Sequence, residues 1–176
     1  MRRSPQNQQA LEAIIQRRKA ELEARNASIP ASEVDAGAAL AVTTVLFNNS
    51  DHLPDFLASL CRQGFPVGRI DLYLVDNGST REHAARIEAL ANQYRERFRS
   101  LHVLTQANLG YGGGQHAALE RAETDFALIT NVDVEFPVDA ISTVLAFALS
   151  DSESVATWEL RQQPYEHPKY YDPVSL

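Results

Sequence analysis

The chain has 176 residues, of which 44% are hydrophobic and 22% charged, and it carries a formal net charge of −7. This length and composition fit one soluble globular domain with a substantial core. Residues 1–27 carry +3, so the remainder carries −10, which argues against a nucleic-acid-binding surface in the main body. A single cysteine excludes an internal disulfide, and no apolar run approaches the roughly 18 residues of a membrane span. We therefore predict a cytoplasmic protein without a signal peptide.

Residues 5–27 are predicted to form a helix with an apolar face and a basic stretch. The apolar face consists of Leu11, Ile14, Ile15 and Leu22, and the basic stretch of Arg17, Arg18 and Lys19. Two interpretations stay open: peripheral contact with a membrane surface or a partner, and a solvated helix packed on the domain. Residues 28–39 lack periodicity and are predicted to be a linker, which separates an N-terminal segment (1–39) from a domain of residues 40–176.

The domain alternates between two kinds of hydrophobic pattern. Apolar, β-branched runs at 40–47, 70–75, 101–105 and 126–129 predict strands, and a fifth is predicted at Val155–Trp158. Helical periodicity follows each of the first four, near residues 53–60, 87–98, 115–123 and 141–148, with a capping box predicted at Ser79 and Glu82. This alternation predicts an α/β fold: a mostly parallel sheet with helices on both faces.

A polar, glycine-rich or acidic cluster follows each of the first four strands. The clusters are Phe47-Asn48-Asn49, Asp76-Asn77-Gly78-Ser79, residues 108–115, and Asn131-Val132-Asp133. Because the carboxyl ends of parallel strands share one edge of a sheet, and α/β proteins bind ligands there, we expect one binding site built from all four. The oxygen atoms of Asn131 and Asp133 suit Mg²⁺ or Mn²⁺ holding a diphosphate.

Each cluster also has a purely structural interpretation. Asp133 could cap a helix beginning at Pro137, Asp76 could form an Asx-turn, and residues 108–114 could be a flexible turn. The lone Cys61 falls within a helical pattern and is predicted to be a small buried hydrophobe rather than a nucleophile.

In order and spacing, these motifs resemble the nucleotide-sugar half of family 2 glycosyltransferases of GT-A fold, a Rossmann-like α/β domain. The motifs are Thr44-Val-Leu-Phe-Asn-Asn, Leu74-Val-Asp76-Asn-Gly-Ser-Thr, Asn108-Leu-Gly-Tyr-Gly-Gly-Gly and Thr130-Asn-Val-Asp133, within residues 40–160. The later segments Trp158-Glu-Leu-Arg-Gln and 165–173 are similar to the rhamnosyltransferase-like branch of that family.

The resemblance implies an inverting glycosyltransferase of polysaccharide biosynthesis, moving a sugar from a dTDP- or UDP-sugar to a hydroxyl of a glycan or lipid-linked acceptor. The donor-binding set that it implies is Thr44, Leu46, Phe47, Asn48, Asp76, Asn108, Gly110, Gly113 and Asn131. The first four would border the base, Asp76 would hydrogen-bond the base or ribose, and the glycines would let the backbone approach the nucleotide. Asp133 would coordinate the Mg²⁺ or Mn²⁺ that bridges the diphosphate, with Glu135 nearby and Asn131 where the family commonly has an acid.

In the family the general base lies downstream of the metal motif, and Glu159, Glu166 and Asp172 do not match it by position. We therefore expect a C-terminally incomplete domain whose catalytic base is unassigned. The alternative function is a nucleotide-sugar-binding remnant or an interaction module.

A Rossmann oxidoreductase is disfavoured because the glycines follow the third strand rather than the first. A sugar-phosphate nucleotidyltransferase would need a basic glycine-rich loop after the first strand, where this chain has Phe47-Asn-Asn-Ser.

Overall fold

A computed structural model describes residues 37–151 and 154–160, together with Arg17. Apart from Arg17, the predicted N-terminal helix lies outside the described residues, as do most of the predicted linker and the segment 161–176. The sheet belongs to a compact unit that ends at Leu145, and the described residues from Ala146 to 160 belong to a second unit. The domain boundary between residues 39 and 40 stays a prediction.

Four strands and four α-helices alternate in the described part of the chain, as predicted. The strands are β1 (Leu40–Leu46), β2 (Ile70–Asp76), β3 (Ser100–Thr105) and β4 (Phe126–Thr130). The helices are α1 (Leu53–Cys61), α2 (Arg81–Tyr94), α3 (Gly110–Leu119) and α4 (Ala140–Ser150). Among the described residues, no helix is both long enough and apolar enough to cross a membrane.

All strand pairs of the sheet are parallel, in the order β3-β2-β1-β4. Leu40 of β1 pairs with Ile70 of β2 and with Phe126 of β4, and Asp71 of β2 pairs with Ser100 of β3. The central strands β1 and β2 are flanked on both sides and buried on both faces, which explains their nearly continuous apolar sequences. The edge strand β4 instead alternates between half-buried and exposed residues before it ends at the buried Thr130.

The helices cover both faces of the sheet. Right-handed crossovers place α1 and α2 on one face, because β1, β2 and β3 follow each other across the sheet. The step from β3 back to β4 reverses direction and places α3 on the other face, where it contacts β1 and β2. The core on the α3 face is formed by Ala41, Tyr73, Val75 and Ala118. Helix α1 buries Leu53, Phe56, Leu57 and Leu60 completely.

The predicted capping box at Ser79 and Glu82 is wrong. Helix α2 begins at Arg81 after Thr80, and no side chain caps it from that position. The Ser79 hydroxyl instead accepts a hydrogen bond from the backbone N–H of Asn48, at 3.1 Å. The Ser79 hydroxyl thus bonds to the loop after β1 and not to the backbone of helix α2, as the capping motif suggests.

The predicted fifth strand is also absent: residues 155–160 have no regular secondary structure. The indole N–H of Trp158 donates to Oδ2 of Asp151 at 3.1 Å, a contact close in sequence. An apolar run as short as Val155–Trp158 carries little periodicity, so its β-branched composition alone was a weak signal.

Candidate functional site

The four polar clusters lie at one edge of the sheet, because every strand runs in the same direction and each cluster follows a strand. Hydrogen bonds connect three of the clusters directly. The loop after β1 bonds to the start of α2, and the loop after β2 bonds to the turn after β3. The candidate site is therefore a surface at the carboxyl ends of the strands, where hydrogen bonds join the loops.

Asn48 joins the end of β1 to the start of α2. Its backbone N–H donates to the Ser79 hydroxyl, and its side-chain oxygen Oδ1 accepts from the Thr80 N–H at 2.8 Å. Asn48 has a φ of 55°, in the left-handed region that Asn adopts more readily than most residues. Phe47, beside it, leaves 49% of its surface exposed at this edge. Both residues are thus placed where a ligand can reach them.

Thr44 and Leu46 occupy a different environment from their neighbours at this edge. Both side chains are fully buried in the sheet. The Thr44 hydroxyl finds no hydrogen-bond partner within the described part of the chain. Their predicted contact with a nucleotide base would therefore require this part of the core to rearrange, whereas Phe47 and Asn48 are accessible already.

Asp76 ends β2 and is 2% exposed. Its Oδ1 accepts the backbone N–H of Ser79 at 2.9 Å, which is the Asx-turn interpretation given above. The other oxygen, Oδ2, makes no hydrogen bond to the described residues. The turn therefore uses one carboxylate oxygen and leaves the second for a donor such as a base N–H or a ribose hydroxyl.

Asn77, which follows, was not predicted to be a site residue, yet it is the most connected side chain at this edge. Its amide nitrogen Nδ2 donates to Oδ1 of Asn108 at 3.0 Å and to the carbonyl of Gly110 at 3.2 Å. Its Oδ1 accepts from Nε2 of Gln106 at 2.8 Å and from the N–H of Leu109 at 3.1 Å. The one available sequence signal was its place directly after a strand-end aspartate.

The glycine-rich segment is the first turn of α3 rather than a loop. The helix begins at Gly110, whose φ of 74° lies in the left-handed region and lets the chain turn from the preceding loop into the helix. The Gly110 N–H donates to Oδ1 of Asn108 at 2.9 Å. Gly114 packs against β1: a Cβ built there would lie 2.7 Å from Cγ2 of Val45. Gly113 lies similarly close to Leu109, where a Cβ would meet the leucine Cβ at 2.7 Å. Close packing therefore explains Gly113 and Gly114 in a helix that glycine disfavours.

Gln115 connects the same helix to the strands behind it. It is 5% exposed, and its Oε1 accepts from the Thr43 hydroxyl of β1 at 2.5 Å. Its Nε2 donates to the carbonyl of Thr130, the last residue of β4, at 3.5 Å. Sequence reasoning did not assign Gln115 a role, because neither partner is near it in the chain.

Asn131 and Asp133 are both exposed in the turn that follows β4, and the buried Val132 between them anchors that turn. Helix α4 begins only at Ala140, so the interpretation of Asp133 as its cap is wrong. Glu135, the other nearby acid, lies 3.6 Å from the Arg62 guanidinium in an exposed ion pair.

The residues at this turn fit one kind of metal site and not another. No three His, Cys, Asp or Glu side chains in the described ranges are grouped closely enough to hold an ion by themselves. Mg²⁺ commonly uses one or two carboxylates and takes its other ligands from water and a substrate diphosphate. The exposed Asp133 carboxylate and Asn131 amide oxygen match that second arrangement.

Cys61 is half-buried and is the last residue of α1. Burial raises the pKa of its thiol, with Arg97 acting in the opposite direction. A raised pKa leaves little thiolate at neutral pH, which agrees with the prediction of an unreactive cysteine.

The fold and the clustered edge together define an α/β domain of the GT-A type. The chain matches Glycosyl transferase family 2 over residues 41–172 and belongs to that family. No curated protein matches it.

Solved structures with the same fold include S. aureus TarS, with a TM-score of 0.55 and 25% identity over 62% of this chain. Its 1–349 segment in complex with UDP-GlcNAc gives the same values. A mannosyltransferase, PcManGT from Pyrobaculum calidifontis in complex with GDP-Man and Mn²⁺, has a TM-score of 0.61 and 18% identity over 72% of this chain. The chain spans 19% of TarS, 30% of the UDP-GlcNAc complex and 37% of PcManGT.

Proposed function

We propose that the chain binds a nucleoside-diphosphate sugar at the carboxyl edge of its sheet and supplies the donor-binding half of a glycosyltransferase. The observation that carries the proposal is that all four motif clusters meet at this edge in a member of family 2. Phe47 and Asn48 face the base, Asp76 Oδ2 accepts from the base or ribose, and the turn at Asn108 and Gly110 approaches the phosphates. Gly113 serves that approach by its packing rather than by direct contact.

Asp133 and Asn131 would hold a divalent ion, Mg²⁺ or Mn²⁺. When bound, such an ion would supply positive charge that stabilises a departing nucleoside diphosphate. One similar structure was solved with GDP-Man and Mn²⁺, and another with UDP-GlcNAc, so both donor classes belong in the test together with a dTDP-sugar.

Sugar transfer proceeds with inversion to a hydroxyl of a glycan or lipid-linked acceptor, as in polysaccharide biosynthesis. Such a displacement needs a carboxylate to deprotonate that hydroxyl. Glu159 is the first described carboxylate to test for this role, and Glu166 lies outside the described residues. Rhamnosyl transfer is the first reaction to test, because the segment from Trp158 and residues 165–173 are similar in sequence to the rhamnosyltransferase-like branch of the family.

The test is calorimetric titration of the chain with UDP, dTDP and GDP, each with and without Mn²⁺. We expect Asp133→Ala to abolish the Mn²⁺-dependent part of the affinity, because the exposed carboxylate is the charged ligand that the turn offers. Thermal stability should stay nearly unchanged, since Asp133 makes no hydrogen bond to the described residues. Asp125→Ala is the matched control, because it removes an exposed carboxylate just before the amino end of the same strand, β4.

Equal Mn²⁺-dependent affinity in wild type and Asp133→Ala would remove the metal assignment. Binding of none of the three nucleotides by the wild type would remove the donor-site proposal. Donor binding without sugar transfer to any acceptor tried would favour the alternative, a nucleotide-sugar-binding remnant.

A further inference from the structure

The buried amide of Asn77 uses its full hydrogen-bonding capacity. Asn77 is 2% exposed, and a carboxamide offers two N–H donors and an oxygen with two lone pairs. Both donors and both lone pairs are occupied, by the four contacts to residues 106–110 given above. Its own backbone N–H donates to the Leu46 carbonyl at 2.9 Å, which fixes it to the end of β1. The side chain therefore joins β1 and β2 to the turn after β3.

That turn has little else to hold it in place. Residues 107–112 are all exposed, and Leu109 has 64% of its surface in solvent, so apolar packing contributes little to their order. The neighbouring Gly78 permits the close approach, because a Cβ there would lie 2.9 Å from the Asn108 nitrogen, and its φ of +86° disfavours any side chain. Polar contacts from the loop after β2 thus take the place of a hydrophobic anchor.

The rest of α3, in contrast, is held by contacts with strands β1 and β4. Gly114 lies against Val45, and Gln115 bonds to Thr43 and to the Thr130 carbonyl. With the helix held on the sheet, the conformation of the exposed turn at its start depends on Asn77.

We propose that Asn77 is a positioning residue for donor binding: it holds the turn formed by Asn108, Leu109 and Gly110 in the conformation that meets the nucleotide. The inference rests on the proposed function, and it adds a residue that does not itself touch the donor. A carboxylate of the same shape cannot replace it, because Asn108 Oδ1 and the Gly110 carbonyl both need a donor.

The test compares two isosteric substitutions at opposite ends of β2. Asn77→Asp replaces the two N–H donors with an oxygen at the carboxyl end. Asp71→Asn is the matched control at the amino end, where Asp71 is 5% exposed and bonded to Arg99 and Ser100. Gln106→Ala, which removes a single partner of the Asn77 oxygen, is a milder change in case Asn77→Asp folds poorly. For each variant we would measure the melting temperature, the Kd for whichever of UDP, dTDP and GDP with Mn²⁺ the wild type binds most tightly, and amide hydrogen exchange without ligand.

We expect Asn77→Asp to raise the Kd by about tenfold or more, because the turn would lose both hydrogen bonds from the Asn77 amide and nucleotide binding would then have to order it. Gln106→Ala should raise it less. Hydrogen exchange at Gly110 should accelerate in Asn77→Asp, although the Gly110 N–H is bonded to Asn108 and not to Asn77. Asp71→Asn should lower the melting temperature while leaving the Kd within about twofold of wild type.

Unchanged Kd and unchanged Gly110 exchange in both Asn77→Asp and Gln106→Ala would overturn the proposal. It would also be overturned if Asp71→Asn raised the Kd as much at the same loss of melting temperature, since the effect would then be one of general stability. If the wild type binds no nucleotide, the proposed function fails by itself, and the exchange of Gly110 still shows whether Asn77 orders the turn.

Discussion

At the level of single residues, a side chain's position beside a motif did not fix its exposure. Thr44, Leu46, Phe47 and Asn48 are close in sequence, but the first two are fully buried and the last two are exposed. The reason is that β1 is central and covered on both faces, so nearly all of its side chains are buried, and fully exposed ones begin after its end at Leu46. Contact with a ligand is therefore expected of the residues after the strand.

Asp76 allows its two roles to be separated by one substitution. In Asp76→Asn the amide oxygen can still accept from the Ser79 N–H, so the Asx-turn and the melting temperature should be retained. The oxygen Oδ2 becomes an N–H donor, and a base N–H or ribose hydroxyl loses its charged acceptor. We expect nucleotide affinity to fall by about 1–3 kcal/mol, measured by calorimetry.

Asp55→Asn serves as the control, because Asp55 is an exposed acid in the first turn of α1 and has no assigned role at the site. Equal nucleotide affinity of wild type and Asp76→Asn would leave Asp76 as a turn-forming residue only.

At the level of elements, helix α3 shows why its glycines have different roles. Gly114 lies where a Cβ would meet Val45, whereas Gly112 has no atom within 4 Å of a built Cβ and no positive φ. The same substitution should therefore act in opposite directions at the two positions.

Gly114→Ala should lower the free energy of unfolding by about 1–3 kcal/mol, because the added methyl group forces α3 away from β1. Gly112→Ala should raise it by about 0.5–1 kcal/mol, because alanine loses less conformational freedom in a helix. Urea unfolding of both variants beside the wild type measures the two effects. A stabilising Gly114→Ala would show that α3 does not pack on β1 as described.

At the level of the whole molecule, the edge of the sheet opposite the candidate site holds an ion pair between the buried Asp71 and the exposed Arg99. Asp71 at the start of β2 accepts from Nε of Arg99 at 2.8 Å and from the Ser100 hydroxyl at 2.7 Å. The hydrogen bond from Arg99 lowers the pKa of Asp71 against the opposing effect of burial, and the Ser100 hydroxyl adds to the lowering. Folded and unfolded chains thus differ in their affinity for a proton.

A lowered folded pKa means that Asp71 stabilises the protein above the unfolded pKa, about 3.9, and that this contribution is lost as the pH falls through the folded value. We expect Asp71→Asn to lower the free energy of unfolding by about 1–2 kcal/mol at pH 7, a range kept low because Arg99 is 44% exposed. The difference from wild type should shrink below about pH 4 as the wild-type carboxylate becomes protonated. Denaturant unfolding at pH 7, 4 and 3 measures it, and a difference that stays constant with pH would contradict the assignment.

Much of the fold could be predicted from the sequence, because the signals that specify it are local. The runs at Leu40–Leu46 and Ile70–Asp76 are mostly apolar or β-branched with little alternation, as expected of parallel strands covered on both faces. Helical periodicity between short turn segments then leaves a parallel sheet as the arrangement that buries every apolar face. The position of the polar clusters at one edge follows from parallel strand direction alone.

Contacts between residues distant in sequence were decided only by the tertiary structure. Local preference treats Gly110–Gly114 as a loop, yet the segment begins helix α3, and its Gly114 packs against Val45 of β1. The hydrogen-bond partners of Asn77 lie in residues 106–110, which helix α2 and strand β3 separate from it along the chain. No sequence pattern near Asn77 indicates them. Hydrophobic periodicity is a property of neighbouring residues, whereas a buried amide's hydrogen bonds depend on which chain segments the fold brings together.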